Sequence, residues 1–463
     1  MKNQSRLLTC FLFFILIFIP AVSAPGQPPS TAAPPSLDAK TRQQLIENII
    51  RELRAKYVTP EKVGSIEAAL RAKLQSGAYD KIVNVREFAL MLTGDLRGIS
   101  KDLHLFVTYD PELESELLKH PLPPSVELKE LPPTPEQLQR LRQSNYGFQK
   151  VEILTGNIGY LDLRGFNDVT YAKATAAAAM NFLANSDAVI IDVRNNPGGY
   201  VNLEIFLASY FFADRVEWLS RFHRDSNVTV RDWTLREVPG KRMPATDLYI
   251  LTSRQTGSAA EGFSFMLQQK KRARIVGENT SGAGYGNRET SIGYGFVFYV
   301  SLFRQFDPRT GQGWQEVGVN PDVAVSADQA LKVAHLEAVR GVASRITREA
   351  KQQQLQWLAQ LLDFEAYGSK QIPGAVLKSY TGKYYNGQIT VSLEEGQLYF
   401  LGASGVKRKL QALNEDTFLI EDSSVSPESQ ARARFVKDPT GKVVRLDLLV
   451  ADGRSFPRVK DPE

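Results

Sequence analysis

The chain reads LYILTSRQTGSAAEGFSFM over residues 248–266, and this stretch guides the interpretation of the whole sequence. The apolar run at 248–251 predicts a short buried strand, and residues 259–266 predict the start of a helix. Ser258 therefore falls on a strand-to-helix turn, among backbone amides that lack intrahelical partners and can hold an oxyanion. Ser258 and Glu261 also fit a capping box, so a purely structural role for the serine stays open.

The sequence around this stretch alternates between strand and helix signals over residues 151–325. The pattern predicts strands at 158–163, 188–193, 248–251, 273–276 and 296–302, and helices at 171–183, 202–212 and 259–269. This order of elements predicts a layered α/β core.

The flanking regions differ from this core in their patterns. Residues 37–96 show helical periodicity, 104–109 predict a strand, 327–362 predict a long helical stretch, and short strands separated by turns predict a small all-β domain near the end. We divide the chain into a signal peptide (1–24), a disordered leader (25–36), a helical N-terminal region (37–110), a connector (111–149), the α/β core (150–326), a helical linker (327–365) and a small β-rich domain (366–463).

Composition limits the classes of function. The chain has 463 residues, of which 43% are hydrophobic and 23% charged, as expected for a globular protein of two or three domains. A formal net charge of +5 does not argue for nucleic-acid binding. No His/Asp/Glu cluster has ligand spacing, so we predict no metal and no cofactor.

The N-terminus has the pattern of a secretory signal peptide. Lys2 and Arg6 precede the apolar run 7–19, and Val22-Ser23-Ala24 predicts cleavage after Ala24. The single cysteine, Cys10, lies inside this segment, so the mature chain would contain no disulfide. We expect an exported protein, periplasmic or extracellular, with no membrane span after cleavage; a retained N-terminal anchor is the alternative.

A glycine-rich turn is the second candidate element of a site. Residues 192–199 read DVRNNPGG and follow the predicted strand directly. Gly198 and Gly199 would let backbone amides face a cleft at the carboxyl end of the sheet, where open α/β sheets bind ligands. An ordinary turn is the alternative interpretation.

His104 is the candidate base, one of only four histidines in the chain. A nucleophilic serine needs a base within hydrogen-bond reach, and imidazole is the usual one at neutral pH. A structural or surface role for this histidine is the alternative.

The ordered combination of these segments resembles a family of serine peptidases. The family includes the C-terminal processing proteases, the tricorn core proteases and the interphotoreceptor retinoid-binding protein modules. The similarity covers about residues 40–325 and is carried by Asp102-Leu103-His104, Ile158-Gly159-Tyr160-Leu161, and residues 192–199, 256–261, 277–282 and 318–322.

The resemblance implies a crotonase-like α/β core and assigns roles to individual residues. Ser258 matches the nucleophile. Ala259 and either Gly198 or Gly199 match the amides of the oxyanion hole.

Two branches of the family differ in the residue that serves as base, a lysine in one and a histidine in the other. Gly282-Ala283-Gly284 stands where the processing proteases have a lysine between two glycines, so a Ser–Lys dyad is not expected. His104 matches the histidine of the tricorn-like and retinoid-binding-like branch. Lys270 and Lys271 are reserve candidates, although the predicted helix would point them away from Ser258.

The third catalytic member is left open between two neighbours. The family commonly has a glutamate three residues before the glycine of its Gly-Val-x-Pro-Asp motif. That position holds Gln315 here, and the acid is Glu316. A carboxylate stabilises the imidazolium, whereas an amide can only orient the ring.

These observations together predict an exported serine-type endopeptidase that acts on protein or peptide substrates. The first alternative is a weak or inactive binding module that uses the same cleft for a peptide or hydrophobic ligand. A structural or interaction role carried by the β-rich tail is the second alternative. The oligomeric state is not indicated by the sequence.

Overall fold

The structure, a computed structural model, describes residues 37–121 and 132–462. The predicted signal peptide and leader lie outside the described residues. The division of the chain at residues 110, 149, 326 and 365 stays a prediction. No helix within the described ranges is both long and apolar enough to cross a membrane.

The N-terminal region is helical, as predicted. Its elements are α1 (Ala39–Lys56), α2 (Val63–Gln75), α3 (Val85–Ser100) and strand β1 (Phe106–Tyr109), and the predicted connector then carries α4 (Pro111–Lys119) and α5 (Pro135–Gln143). Apolar side chains on α1, such as Leu45, Ile49 and Leu53, are fully buried because their helical spacing places them on one face. They belong to one apolar cluster with side chains of α2, α3 and strands of a neighbouring sheet.

The central region is the predicted α/β core. Its elements are β2 (Phe148–Leu154), β3 (Ile158–Leu163), α6 (Val169–Leu183), β4 (Ala188–Asp192), α7 (Val201–Ala208), β5 (Glu217–His223), β6 (Val228–Trp233), β7 (Asp247–Thr252), α8 (Ala259–Gln269), β8 (Arg274–Gly277), β9 (Tyr285–Gly293), β10 (Phe296–Phe306) and β11 (Val323–Ala324). The helix predicted over 202–212 is shorter, because residues 209–211 tighten into a 3₁₀ turn.

The main sheet has the strand order β11-β8-β7-β4-β3-β2. All pairs are parallel except β2 with β3, which is antiparallel. Strands β3 and β4 are buried along their whole length because apolar clusters cover both faces of the sheet. The carboxyl ends of β4 and β7 thus lie side by side and lead into the glycine turn and the serine turn.

A second sheet joins the N-terminal region to the core. Its order is β1-β10-β5-β6, with β9 also paired to β10. Strand β1 is antiparallel to β10, with Phe106 opposite Tyr299. This pairing fixes where the residues just before β1, including His104, lie relative to the core.

The C-terminal region is helical and then all-β. Its elements are α9 (Ala327–Arg345), α10 (Glu349–Tyr367), α11 (Gly374–Tyr380), β12 (Gly382–Tyr384), β13 (Ile389–Glu394), β14 (Gln397–Leu401), β15 (Lys407–Ala412), β16 (Thr417–Ile420), β17 (Arg432–Lys437), β18 (Val443–Leu449) and β19 (Ser455–Val459). These eight strands pair in chain order, and a bridge between Tyr384 and Lys460 joins the first strand to the last. The predicted all-β domain is confirmed, and the predicted helical stretch is two helices broken at residues 346–348.

Candidate active site

Ser258 lies on the turn between β7 and the first residue of α8. Its backbone has φ +50° and ψ −120°, a conformation that residues with a side chain rarely adopt. A strained strand-to-helix turn of this kind presents a serine hydroxyl clear of the sheet in hydrolases. The residue is half-buried.

Glu261, which the sequence marks only as a helix cap, holds this turn in place. It is fully buried, and its carboxylate accepts five hydrogen bonds: from the Ser258 amide at 2.8 Å, Thr280 Oγ1 at 2.6 Å, Ser281 Oγ at 3.1 Å, the Gly282 amide at 2.7 Å and the Ala283 amide at 2.8 Å. Burial raises the pKa of Glu261, while these hydrogen bonds oppose the rise. All five partners donate, which suits an ionised carboxylate.

His104 reaches this turn from the other side, although 154 positions separate it from Ser258 in sequence. Its Nε2 lies 3.2 Å from Ser258 Oγ, within the range expected of a nucleophile and its base. Two hydrogen bonds fix its backbone, one from its amide to Asp102 Oδ1 at 2.9 Å and one from Asn287 Nδ2 to its carbonyl at 2.7 Å.

The surroundings of His104 favour the neutral ring. Burial lowers the pKa of His104; the negative charge of Asp102 opposes this, and the positive charge of Arg97 adds to it. A neutral imidazole has one nitrogen free to accept a proton. The geometry therefore lets Nε2 accept the proton of Ser258 while Nδ1 carries the ring hydrogen.

Neither predicted third member contacts His104 in this structure. Glu316 is in the left-handed region at φ +68° and forms an ion pair with Lys62. Gln315 uses its Oε1 to accept from the amides of Gly284 at 2.8 Å and Tyr285 at 3.1 Å. The expected hydrogen bond to His104 is absent because a cation and two loop amides already hold these side chains.

His104 Nδ1 accordingly forms no hydrogen bond with either predicted third member. It is buried and has no hydrogen-bond partner among residues 37–121 and 132–462. The candidate nucleophile and the candidate base are thus in contact, while the described residues provide no acceptor for the second ring nitrogen.

The glycine turn lies against the serine turn. A Cβ atom at Gly198 would come within 2.6 Å of Ser258 Cβ and 2.9 Å of the Ala259 nitrogen. The Gly198 amide donates to Asn196 Oδ1 at 2.9 Å, whereas the amides of Gly199 and Ala259 have no acceptor in the described part of the chain. The geometry therefore favours Gly199 over Gly198 as the partner of Ala259 in an oxyanion hole.

The reserve lysines lie at the far end of α8. Lys270 caps the carboxyl end of the helix, and Lys271 follows it. A helix of this length places them about 16 Å from Ser258, at 1.5 Å per residue. Within the described residues no group of three or more His, Cys, Asp or Glu could hold a metal ion.

Sequence reasoning missed two acidic residues next to the site. Glu261 has the capping spacing, which does not indicate that its carboxylate would also bind residues 280–283. Asp102 is quoted in the Asp-x-His segment without a role, although an acidic residue two positions before a backbone amide is the pattern of an Asx turn.

Comparisons with known proteins match both regions that supply the site. Residues 157–325, which include Ser258, match the model described as Peptidase family S41. Residues 37–154, which include His104, match the model described as the N-terminal domain of peptidase S41 in eukaryotic IRBP.

Curated relatives are similar over part of their length. The chloroplastic C-terminal processing peptidase of Tetradesmus obliquus is 30% identical over 172 residues, which cover 37% of this chain and 36% of that protein. The carboxyl-terminal-processing protease of Synechocystis sp. is 29% identical over 173 residues, or 36% of this chain and 38% of that protein. The matched part thus spans little more than a third of these relatives.

Solved structures are more distant. The photosystem II D1 C-terminal processing protease has a TM-score of 0.39 and 16% identity, covering 62% of this chain and 94% of that one.

Proposed function

We propose that the chain is a serine-type endopeptidase with Ser258 as nucleophile and His104 as general base, since its residues 157–325 and 37–154 match the two models of S41 peptidase domains. The observation that carries the proposal is the 3.2 Å contact between Ser258 Oγ and His104 Nε2 on a strained strand-to-helix turn. Protein or peptide chains are the proposed substrates.

The proposed reaction follows from this geometry. Ser258 Oγ attacks the peptide carbonyl carbon while its proton moves to His104 Nε2. The amides of Gly199 and Ala259 donate to the oxyanion of the tetrahedral intermediate. His104 then returns the proton to the leaving amine, and a water molecule activated by the same ring hydrolyses the acyl-enzyme.

The test is covalent labelling with a fluorophosphonate probe, together with cleavage of an unfolded protein substrate. We expect the wild type to be labelled and Ser258→Ala to lose both labelling and cleavage. Ser264→Ala is the matched control, because Ser264 is a buried serine of the same helix whose hydroxyl donates to the Ala260 carbonyl at 2.7 Å. Equal labelling of the wild type and Ser258→Ala would contradict the proposal.

The second candidate function is a binding module that uses the same cleft for a peptide or hydrophobic ligand. One observation favours it, namely that His104 Nδ1 lacks an acceptor in the described part of the chain. A wild-type protein that is not labelled but binds the unfolded substrate without cleaving it would support this function over the first.

We also propose export, on the basis of the sequence alone. Lys2, Arg6 and the apolar run 7–19 form the pattern of a signal peptide. Expression of the full chain in a bacterium, followed by fractionation and intact-mass measurement, tests this. A mature protein that begins at residue 25 outside the cytoplasm is expected, and an intact N-terminus in the cytoplasm would contradict it.

A further inference from the structure

Asp102 is a fully buried acidic residue two positions before the candidate base. Its Oδ1 accepts the His104 amide at 2.9 Å, and its own amide donates to Ser100 Oγ at 3.0 Å. Its Oδ2 is buried without a hydrogen-bond partner among the described residues. A carboxylate left half unsatisfied in the interior is costly, so its retention needs a reason.

The groups around Asp102 do not remove this cost. The Tyr57 hydroxyl lies close to Asp102: burial, the Asp102 charge and a side-chain interaction with Asp102 all raise the pKa of Tyr57. Neither the Tyr57 hydroxyl nor Asp102 Oδ2, however, has a hydrogen bond of normal geometry among the described residues. Arg97 is the nearby cation, and its Nε donates to the Leu105 carbonyl at 3.2 Å. Tyr285 is close as well, and its hydroxyl is hydrogen bonded to Thr59 at 2.9 Å.

Glu316, the acid that the sequence offers as third member, and Asp102, the acid that the structure places beside His104, are therefore in different situations. Glu316 is partly exposed and neutralised by Lys62, whereas Asp102 is buried and tied directly to the His104 backbone. Charges interact more strongly in a buried environment than at the surface. An imidazolium formed at His104 during the reaction would be stabilised more by Asp102 than by Glu316.

We propose that Asp102, and not Glu316 or Gln315, is the positioning residue of His104: its Oδ1 holds the histidine backbone and its negative charge stabilises the imidazolium through space. The inference rests on the proposed function, since it names the acidic group of the same site. No hydrogen bond to Nδ1 is required, which accounts for the lack of a partner on that atom.

The charge effect has a definite sign. Asp102 raises the pKa of His104 and Arg97 lowers it, against the larger lowering by burial. Asp102→Asn keeps an oxygen that can accept the His104 amide but removes the negative charge, so the pKa of His104 falls. Arg97→Gln keeps a donor for the Leu105 carbonyl but removes the positive charge, so the pKa of His104 rises.

The experiment measures the rate of probe labelling against pH in the wild type and in both variants. The rate should rise with pH as His104 loses its proton, and the midpoint should move down by about one pH unit in Asp102→Asn and up in Arg97→Gln. We also expect the plateau rate of Asp102→Asn to fall by about 10-fold to 100-fold, less than the loss of a triad aspartate that bonds the ring directly.

Two further variants separate a charge effect from a structural one. Asp95→Asn removes another buried acid of the same region, whose partners are Lys73 and Tyr79, and should leave the midpoint unchanged. Glu316→Gln removes the alternative acid. A midpoint that moves in Glu316→Gln but not in Asp102→Asn, or a midpoint that moves in no variant, would overturn the inference.

A direct titration separates this inference from the proposed function. NMR of protein labelled with ε1-¹³C histidine reports the pKa of His104 whether or not a substrate is cleaved, and His104→Gln identifies its resonance. Opposite shifts in Asp102→Asn and Arg97→Gln support the electrostatic role of Asp102. Failure of the wild type to react with the probe would instead contradict the proposed function.

Discussion

Around Ser258 one carboxylate accepts five hydrogen bonds, whereas around His104 three buried polar atoms have no partner among the described residues. The first group is organised by Glu261 on the α/β core. The second consists of His104 Nδ1, Asp102 Oδ2 and the Tyr57 hydroxyl, which belong to the N-terminal region. The core side thus holds the proposed nucleophile in a network of hydrogen bonds, while the described groups around the proposed base leave several of its polar neighbours unbonded.

This difference has a physical reason. A nucleophile turn in a strained conformation persists only where the surrounding hydrogen bonds over-determine it. A base must exist in two protonation states, and among the described residues the charges of Asp102 and Arg97 act on the His104 ring without a hydrogen bond to Nδ1. If the two sides differ in this way, substitutions on the core side should have larger effects than substitutions on the N-terminal side.

The largest expected effect is at the glycine turn on the core side. Gly199 has φ +133°, and a Cβ there would lie 2.1 Å from the Phe166 carbonyl oxygen. Gly199→Ala should therefore displace the oxyanion amide and lower the labelling rate by about 100-fold to 1000-fold. Gly311→Ala is the control, because that glycine also has a positive φ but nothing within 4 Å of its Cβ position. A Gly199→Ala protein that reacts at the wild-type rate would remove Gly199 from the site.

Glu261→Gln should come next and act on stability. The amide nitrogen of glutamine cannot accept a hydrogen bond, so the donors that now bond to one carboxylate oxygen would lose their acceptor. The free energy of unfolding should therefore fall by about 2–4 kcal/mol. Urea unfolding measures this change. Glu316→Gln, at a partly exposed site, provides the comparison and should change stability far less. Similar losses in both variants would show that the two sides are equally constrained.

Glu204 provides a test that depends on pH. It is a second buried acid of the core side, located on α7 with its carboxylate next to Gly262 of α8. Burial raises the pKa of Glu204 to about 8, and its Oε1 accepts from Trp218 Nε1 at 2.7 Å. The folded protein thus keeps a proton that the unfolded chain loses near its ordinary pKa of 4.5. Stability should therefore fall as pH rises between these values, by about 1.4 kcal/mol per pH unit.

Glu204→Gln should remove this contribution and be increasingly stabilised over the wild type as the pH approaches 8. Thermal unfolding at several pH values measures the difference. Glu237→Gln, at an exposed glutamate, should leave the wild-type pH dependence in place. An unchanged slope in Glu204→Gln would mean that other groups set the pH dependence.

The smallest expected effect is on the N-terminal side. Lys62 pairs with Glu316 and also donates to the Ser100 carbonyl at 2.9 Å. Because this ion pair is partly exposed, Lys62→Met should change the free energy of unfolding by less than about 0.5 kcal/mol. The labelling rate should change by less than about threefold, and a larger loss would make this ion pair part of the site.

Much of the fold could be predicted because it depends on local periodicity. The helix over 259–269 and the strand over 158–163 have the predicted bounds, since each carries its own apolar pattern. The pairing of β1 with β10 could not be predicted from local periodicity, because its residues are about 190 positions apart and meet only in the packed apolar cluster that both strands share. That pairing carries His104 to the core.

The candidate site shows the same division between local features and long-range contacts. The sequence by itself determined that Ser258 stands on a strand-to-helix turn, that a double-glycine turn follows the neighbouring strand, and that His104 follows an acidic residue at Asx spacing. These are properties of a few consecutive residues. Only the tertiary structure decided that His104 meets Ser258, that Glu316 pairs with Lys62, and that the Gly198 amide is already bonded. Such contacts form between residues that are far apart in the sequence and become neighbours only in the folded structure. The residues next to them in the chain therefore do not indicate which partner each polar atom has.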